Sequence, residues 1–128
     1  VAEVNQALNG SNRIVLFRGG DYTGNYTFNG SNVTLFGEGA SGGRVTLNGD
    51  ISVSGSFNRI RGTRINGTLT VNGSDFGLTS SRVTGATLVD GSSALLIDND
   101  FCGAVTVTGS GSVVLENSGL APIAATDC

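Results

Sequence analysis

Two carboxylates toward the C-terminal end of the chain have residue types and a spacing that could do chemistry. Asp98 and Glu116 stand eighteen residues apart, and Asp100 lies close to the first of them. Such a group could bind Ca²⁺ through its oxygens or act as an acid–base pair on a sugar. Two solvated carboxylates splayed apart at a corner explain the same residues. We therefore expect no bound metal or other cofactor and keep Asp98 and Glu116 as a weak metal candidate.

The arginines are concentrated in the middle of the chain, where Arg59, Arg61 and Arg64 fall within six residues. As one patch, they could hold an acidic polysaccharide through bidentate hydrogen bonds. The alternative is a structural role, in which arginines pair with their neighbours, as Arg82 would with Asp100 beside it.

Several residue types are missing from the chain, and their absence excludes some classes of function. The chain contains no His, Lys, Met or Trp. Without His there is no His-based triad, imidazole base or His metal site, so we expect a protein that is not an enzyme. A net charge of −3 and a pI near 4.6 argue against a nucleic-acid partner. No apolar stretch approaches the length of a membrane span.

Cys102 and Cys128 form an even pair without the CxxC spacing of a metal or redox motif. We predict a disulfide that ties the C-terminus back to the body of the protein, two free thiols being the alternative. A disulfide implies an oxidising compartment, and hence a secreted or cell-surface protein.

The elements that position these residues follow from a repeat of eighteen residues. Gly, Ser, Thr and Asn fill 60 of the 128 positions, and many recur at this spacing. The clearest columns are Val53, Val71, Val89 and Val107; Gly55, Gly73, Gly91 and Gly109; Gly49, Gly67, Gly85 and Gly103; Ile60, Leu78, Leu96 and Val114; and Leu47, Ile65, Val83 and Phe101. Upstream, Phe28 and Leu35 continue the pattern at an offset of 25, which predicts a loop around residues 37–43.

Within each repeat, short runs alternate between apolar and polar residues, as in ISVSGS, LTVNGS and VTVTGS. Alternation is typical of a strand with one buried face, and the following Gly-Ser predicts a turn. Each repeat then makes one coil of three short strands, and each strand pairs with its counterpart one coil later. Parallel crossovers of this kind are right-handed in about 98% of cases. We predict an all-β, single-domain, right-handed parallel β-helix of about six short coils.

These residues resemble the right-handed parallel β-helix superfamily, the pectate-lyase-like solenoids. RIVLFRGGDYTGN, from residue 13 to residue 25, is similar to the first coil of such proteins. LLIDNDF and VVLENSG are similar to the family's Asn bend between two strands, with Asn99 and Asn117 one coil apart. The resemblance covers residues 13–118 and implies the fold alone, because the superfamily holds lyases, hydrolases, adhesins and inert spikes. The acid clusters of its enzymes have no counterpart here, so no catalytic residue is carried over.

Both ends of a solenoid need covering, because each exposes strand edges and an apolar cross-section. Residues 1–12 read as a cap with one short amphipathic helix, since Val1, Val4 and Leu8 share a helical face. Residues 13–118 form the coils. Residues 119–128 form an apolar tail, which we expect to fold back over the last coil.

One group of aliphatic residues fits the repeat badly. Leu95 and Ile97, and one coil later Val113 and Leu115, flank the inward column where earlier coils carry Arg or Thr. Either the strand shifts in phase by one residue, or both pairs point outward. Outward pairs would be covered by the C-terminal tail or by a partner, so these four residues are a candidate interface.

Charge is divided along the solenoid axis, because sequence order is axial order in this fold. Residues 1–64 carry a charge of +2 and residues 65–128 carry −5. Contact between unlike ends would make a filament. The leading hypothesis is a non-enzymatic extracellular structural module that self-associates head to tail into a fibre or surface layer. The alternative is a carbohydrate-related protein that binds an acidic polysaccharide through the three clustered arginines, or a degenerate lyase-like protein that cleaves one.

Overall fold

A computed structural model describes residues 2–37 and 45–117, which form one short helix and a series of sixteen short strands. The helix α1 spans Ala2–Leu8. The strands are β1 Arg13–Phe17, β2 Gly20–Thr23, β3 Tyr26–Phe28, β4 Val33–Gly37, β5 Val45–Asn48, β6 Ile51–Val53, β7 Arg59–Arg61, β8 Thr63–Asn66, β9 Leu69–Val71, β10 Gly77–Thr79, β11 Arg82–Val83, β12 Thr87–Val89, β13 Leu95–Ile97, β14 Asp100–Phe101, β15 Val105–Val107 and β16 Val113–Leu115.

Every third strand joins the same parallel sheet, so the chain winds as a solenoid. The first sheet has the order β1-β4-β7-β10-β13-β16, the second β14-β11-β8-β5-β2 and the third β15-β12-β9-β6-β3. The described residues make five complete three-strand coils and begin a sixth with β16. The predicted all-β parallel β-helix is confirmed.

The register follows the columns of the sequence. Val53 pairs with Val71, Val71 with Val89, and Val89 with Val107 in the third sheet. Phe28 pairs with Val53, as the offset of 25 predicted. The predicted loop that accounts for this offset lies mostly in residues 38–44, outside the described residues.

A single apolar core fills the interior. Its inward columns are fully buried in the middle coils, where Ile60, Leu78 and Leu96 are 0% exposed. Phe17 packs edge-on against Tyr22 and Tyr26 at the N-terminal end, with ring centroids 4.8 and 6.2 Å away. At the other end, the inward residue Val114 is 39% exposed.

Helix α1 covers the N-terminal end, as predicted for a capping helix. Leu8 is fully buried in the core. The Asn5 side chain accepts a hydrogen bond from the backbone N–H of Thr27 (2.8 Å) and donates one to the carbonyl of Asn25 (3.0 Å). The Leu8 carbonyl accepts from the N–H of Gly30 (3.4 Å). The helix thus satisfies backbone groups at the β3 edge that would otherwise lie open.

The repeated glycines allow close approach of successive coils. A Cβ at Gly73 would overlap the carbonyl oxygen of Gly55 one coil earlier, and a Cβ at Gly91 would overlap that of Gly73. These glycines do not have a left-handed backbone. The residues with a left-handed backbone at this corner, between the third and first sheets, come two positions after the glycines, for example Phe57 (φ 59°) and Asp75 (φ 55°). The turn that we predicted at Gly-Ser is therefore made just after it.

A ladder of buried polar side chains lines the corner between the first and second sheets. Ser81 N–H donates to Oδ1 of Asn99 (3.0 Å), and Asn99 N–H donates to Oδ1 of Asn117 (2.9 Å). The Asn99 amide also donates to the carbonyl of Leu78 (2.8 Å). The stacked Asn bend implied by the family resemblance is present, and it binds backbone groups of neighbouring coils.

Thr87 is a polar exception within the core, and it gives a stability prediction. It lies in an inward column between Leu69 and Val105, is 2% exposed, and its hydroxyl has no hydrogen-bond partner. Because a buried unpaired hydroxyl is unfavourable, we expect Thr87→Val to raise the free energy of unfolding by about 1–2 kcal/mol. Urea denaturation measures the change. The reverse substitution on the same strand, Val89→Thr, should lower stability, and equal destabilisation by both variants would contradict the assignment.

Candidate interaction surface

The outer face of the six-stranded first sheet carries most of the residues singled out in the sequence. Two outward columns run along it, parallel to the solenoid axis. The first column is Ile14, Thr34, Arg59, Gly77, Leu95 and Val113, and the second is Leu16, Phe36, Arg61, Thr79, Ile97 and Leu115. We call this surface the outer face.

The aliphatic pairs of the last two coils point outward and not into the core. Leu96 lies between Leu95 and Ile97 and is fully buried in register with Leu78, so the strand keeps its phase. Leu95 and Ile97 are half-buried. One coil later, Val113 is 43% and Leu115 54% exposed. The candidate interface therefore exists as a surface; the tail that could cover it lies outside the described residues.

The opposite end of the outer face is also apolar, which the sequence analysis missed. Ile14 is 77% exposed and Leu16 is 59% exposed. Residues 14–17 (IVLF) are all apolar, so the sequence did not show which of them face inward. Pairing of β1 with β4 shows this, because Val15 faces inward beside Leu35 and leaves its two neighbours outside.

Two arginines occupy the centre of the outer face, and both lie along it. Arg59 Nη1 donates to the carbonyl of Asp75 (2.6 Å), and its Cδ lies 2.6 Å from where a Cβ of Gly77 would be. Arg61 leans the other way, with its guanidinium 5.5 Å from the ring centroid of Phe36. Both side chains thus have partners within the chain.

Arg64 does not belong to the same surface. A corner at Gly62 (φ 70°) separates β7 from β8, so Arg64 faces outward on the second sheet between Thr46 and Arg82. Its Nε donates to Oδ1 of Asn66 (3.4 Å). The single patch of three arginines that we predicted is divided between two sheets. Binding of an acidic polysaccharide by these residues stays a prediction.

Arg82 and Asp100 form the ion pair expected from the sequence. Arg82 Nε lies 3.0 Å from Asp100 Oδ2, and the two side chains are only 13% and 12% exposed. The pair joins β11 to β14 on the second sheet. Asp100 is therefore turned toward Arg82 and not toward Asp98 and Glu116.

The weak metal candidate lies at the corner that follows the first sheet. Asp98 (φ 58°) and Glu116 (φ 56°) both have a left-handed backbone, are exposed and stack one coil apart. Ser80 Oγ donates to Asp98 Oδ2 at 3.4 Å. Among residues 2–37 and 45–117, no group of three or more Cys, Asp or Glu side chains could hold a metal ion.

Hydrogen bonds from the next coil lower the pKa of the Asp50 carboxyl. The backbone N–H of Thr68 donates to Asp50 Oδ1 (2.9 Å), and this hydrogen bond, with a smaller contribution from the Thr68 side chain, lowers the pKa of Asp50. A lowered pKa means that the ionised form stabilises the fold above the ordinary pKa of the carboxyl. That stabilisation is lost as the pH falls through the folded-state pKa.

Cys102 directly follows β14 on the second sheet and is half-buried. Its predicted partner, Cys128, lies outside the described residues, so the disulfide stays a prediction. The described residues contain no helix long and apolar enough to cross a membrane.

The three stacked sheets and their register define the protein as a parallel β-solenoid. No protein-family model, curated protein or solved structure matches the chain. The fold and the outer face are thus the grounds on which a function can be argued.

Proposed function

We propose that the protein is a non-enzymatic structural β-solenoid of the extracellular space that works by self-association. The observation that carries the proposal is the outer face, which has exposed aliphatic residues at both ends. Exposed aliphatic residues that lie in groups, and are not scattered singly, are typical of contact surfaces. The finer family resemblance, to the pectate-lyase-like solenoids, agrees with this role, because that superfamily includes inert spikes and adhesins.

The solenoid is too short for one chain to serve alone as a structural rod, so its dimensions support assembly of many copies. Six strands at about 4.8 Å spacing make a sheet only about 24 Å tall. One chain is therefore a building block, and a fibre or surface layer needs many copies. The continuous ladders of the three sheets and the buried Asn99 and Asn117 bonds make that block stiff.

Charge supports association with a defined polarity. The N-terminal half carries +2 and the C-terminal half −5, so contacts that bring unlike halves together are favoured. Both head-to-tail stacking and antiparallel side-by-side pairing do this. The predicted Cys102–Cys128 disulfide agrees with an extracellular location.

Sedimentation velocity across a hundred-fold range of protein concentration, with electron microscopy of the same samples, tests the proposal. We expect reversible growth of higher-mass species with concentration and a weaker effect at high salt, because screening reduces attraction between exposed charges. A strict monomer at the highest concentration, at low salt, would overturn self-association as the function.

A further inference from the structure

We propose that two copies of the chain pair side by side and antiparallel through their outer faces, about a two-fold axis that runs between β7 and β10. This inference rests on the proposed self-association and names its partner, a second copy, and its geometry. End-to-end stacking is the competing geometry. It is disfavoured at the N-terminal end, where α1 already binds backbone groups at the β3 edge.

The axis follows from the number of strands in the first sheet. A two-fold axis along the strand direction at the centre of six strands places β1 opposite β16, β4 opposite β13 and β7 opposite β10 of the second copy. Each outward column then meets its own copy. Ile14 faces Val113 of the second copy, and Leu16 faces Leu115. The four most exposed aliphatic residues of the outer face are thereby covered in pairs.

The positions of the arginines at the centre suit this arrangement. Arg59 lies in register with Gly77 of the second copy, and Arg61 with Thr79, so neither arginine is placed directly opposite an arginine. The two Arg59 side chains pass each other near the axis, each held by its own Asp75 carbonyl. A parallel pair of solenoids would instead place Arg59 directly opposite Arg61 of the second copy at two places, whereas the antiparallel pair brings together only the two Arg59 side chains.

Charges at one border of the outer face are complementary only in the antiparallel pair. Arg61 leans toward β4, over Phe36, and β4 lies opposite β13 of the second copy, which leads into Asp98. Arg18 follows β1, and β1 lies opposite β16 of the second copy, which leads into Glu116. All four of these charged side chains are exposed. The symmetry makes two Arg61–Asp98 and two Arg18–Glu116 pairs, which set orientation more than affinity.

The size of the outer face predicts a weak dimer. A sheet about 24 Å tall, with strands of three to five residues, offers roughly 250–400 Å² from each copy. A standard protein interface takes about 800 Å² from each partner. Association is therefore concentration-dependent, which is suitable for a unit that assembles reversibly.

A charge exchange between Arg61 and Asp98 tests the geometry in the full chain. Arg61→Glu alone and Asp98→Arg alone each turn two attractions into two repulsions, so we expect each to weaken dimerisation about ten-fold or more by sedimentation equilibrium. The double variant R61E/D98R restores the opposite pairing and should recover the original dimerisation constant. Arg64→Glu is the matched control, because it makes the same charge change on the second sheet and should leave dimerisation unchanged.

The outcomes separate the geometry from the proposed function. Thermal unfolding of each variant checks that the fold is intact, and Asp98→Arg provides a second test if Arg61→Glu disturbs its contact with Phe36. If the original chain associates but neither single variant weakens it, or the double variant fails to recover, the antiparallel dimer is wrong while self-association stands. If the original chain never associates, both proposals fall.

Discussion

Gly73→Ala is expected to destabilise the solenoid by about 3 kcal/mol or more, although it adds a single methyl group. The new Cβ would overlap the carbonyl oxygen of Gly55 in the preceding coil. Gly73 N–H and Asn72 N–H both donate to the carbonyl of Val53 at this corner (3.3 and 2.8 Å). The two coils would have to move apart, and these hydrogen bonds would weaken with them. Urea denaturation followed by circular dichroism measures the loss.

Gly77→Ala is the matched control for this prediction. The three atoms nearest to its Cβ would all belong to the flexible side chain of Arg59, which can move aside. We therefore expect a change within about 1 kcal/mol. A Gly73→Ala variant as stable as Gly77→Ala would show that successive coils do not approach as closely as the glycine columns require.

Val71→Asp has the second large effect, an expected loss of about 4 kcal/mol or more. Val71 is 0% exposed and stacks between Val53 and Val89. A carboxylate there would be surrounded by aliphatic side chains with no partner. We expect the middle coils to unfold at neutral pH, measured as lost protection of their amides from hydrogen exchange.

Thr70→Asp places the same charge on the outward side of the same strand. Thr70 is half-buried and faces away from the core. We expect it to lower stability by about 1 kcal/mol or less. Equal effects at positions 70 and 71 would mean that the inward column is wrongly assigned.

The coil architecture could be predicted because each repeat must satisfy the same packing requirement. Val53, Val71, Val89 and Val107 recur since every coil needs an aliphatic residue at the same place in the core. The columns also predicted where chains turn. They did not reveal why glycine recurs, because close approach to a carbonyl and a left-handed backbone give the same signal in a sequence.

The surfaces were harder to predict, because outward residues have no common requirement. Arg59, Arg61 and Arg64 are close in sequence, but a corner at Gly62 turns the third onto another sheet. The exposure of Ile14 and Leu16 was missed because residues 14–17 are all apolar. Without alternation of apolar and polar residues, the sequence does not show which of them face outward. An alignment of β1 with β4, which places Val15 beside the inward residue Leu35, would have identified both as outward residues.

Thr87 was missed for a related reason. It stands in the column of Ile51, Leu69 and Val105, where its side-chain shape resembles that of valine and leaves the strand intact. Only its surroundings show that the hydroxyl lacks a partner.

The most direct test of whether the coils share one core is nuclear Overhauser spectroscopy on valine-labelled protein. It measures contacts between the side-chain methyl groups of the stacked valines. We expect cross-peaks linking position 53 to 71, 71 to 89 and 89 to 107, and much weaker or no signal between 53 and 89, which lie two layers apart. Strong contacts that skip a layer, or the absence of all three successive links, would contradict the solenoid and every inference built on its register.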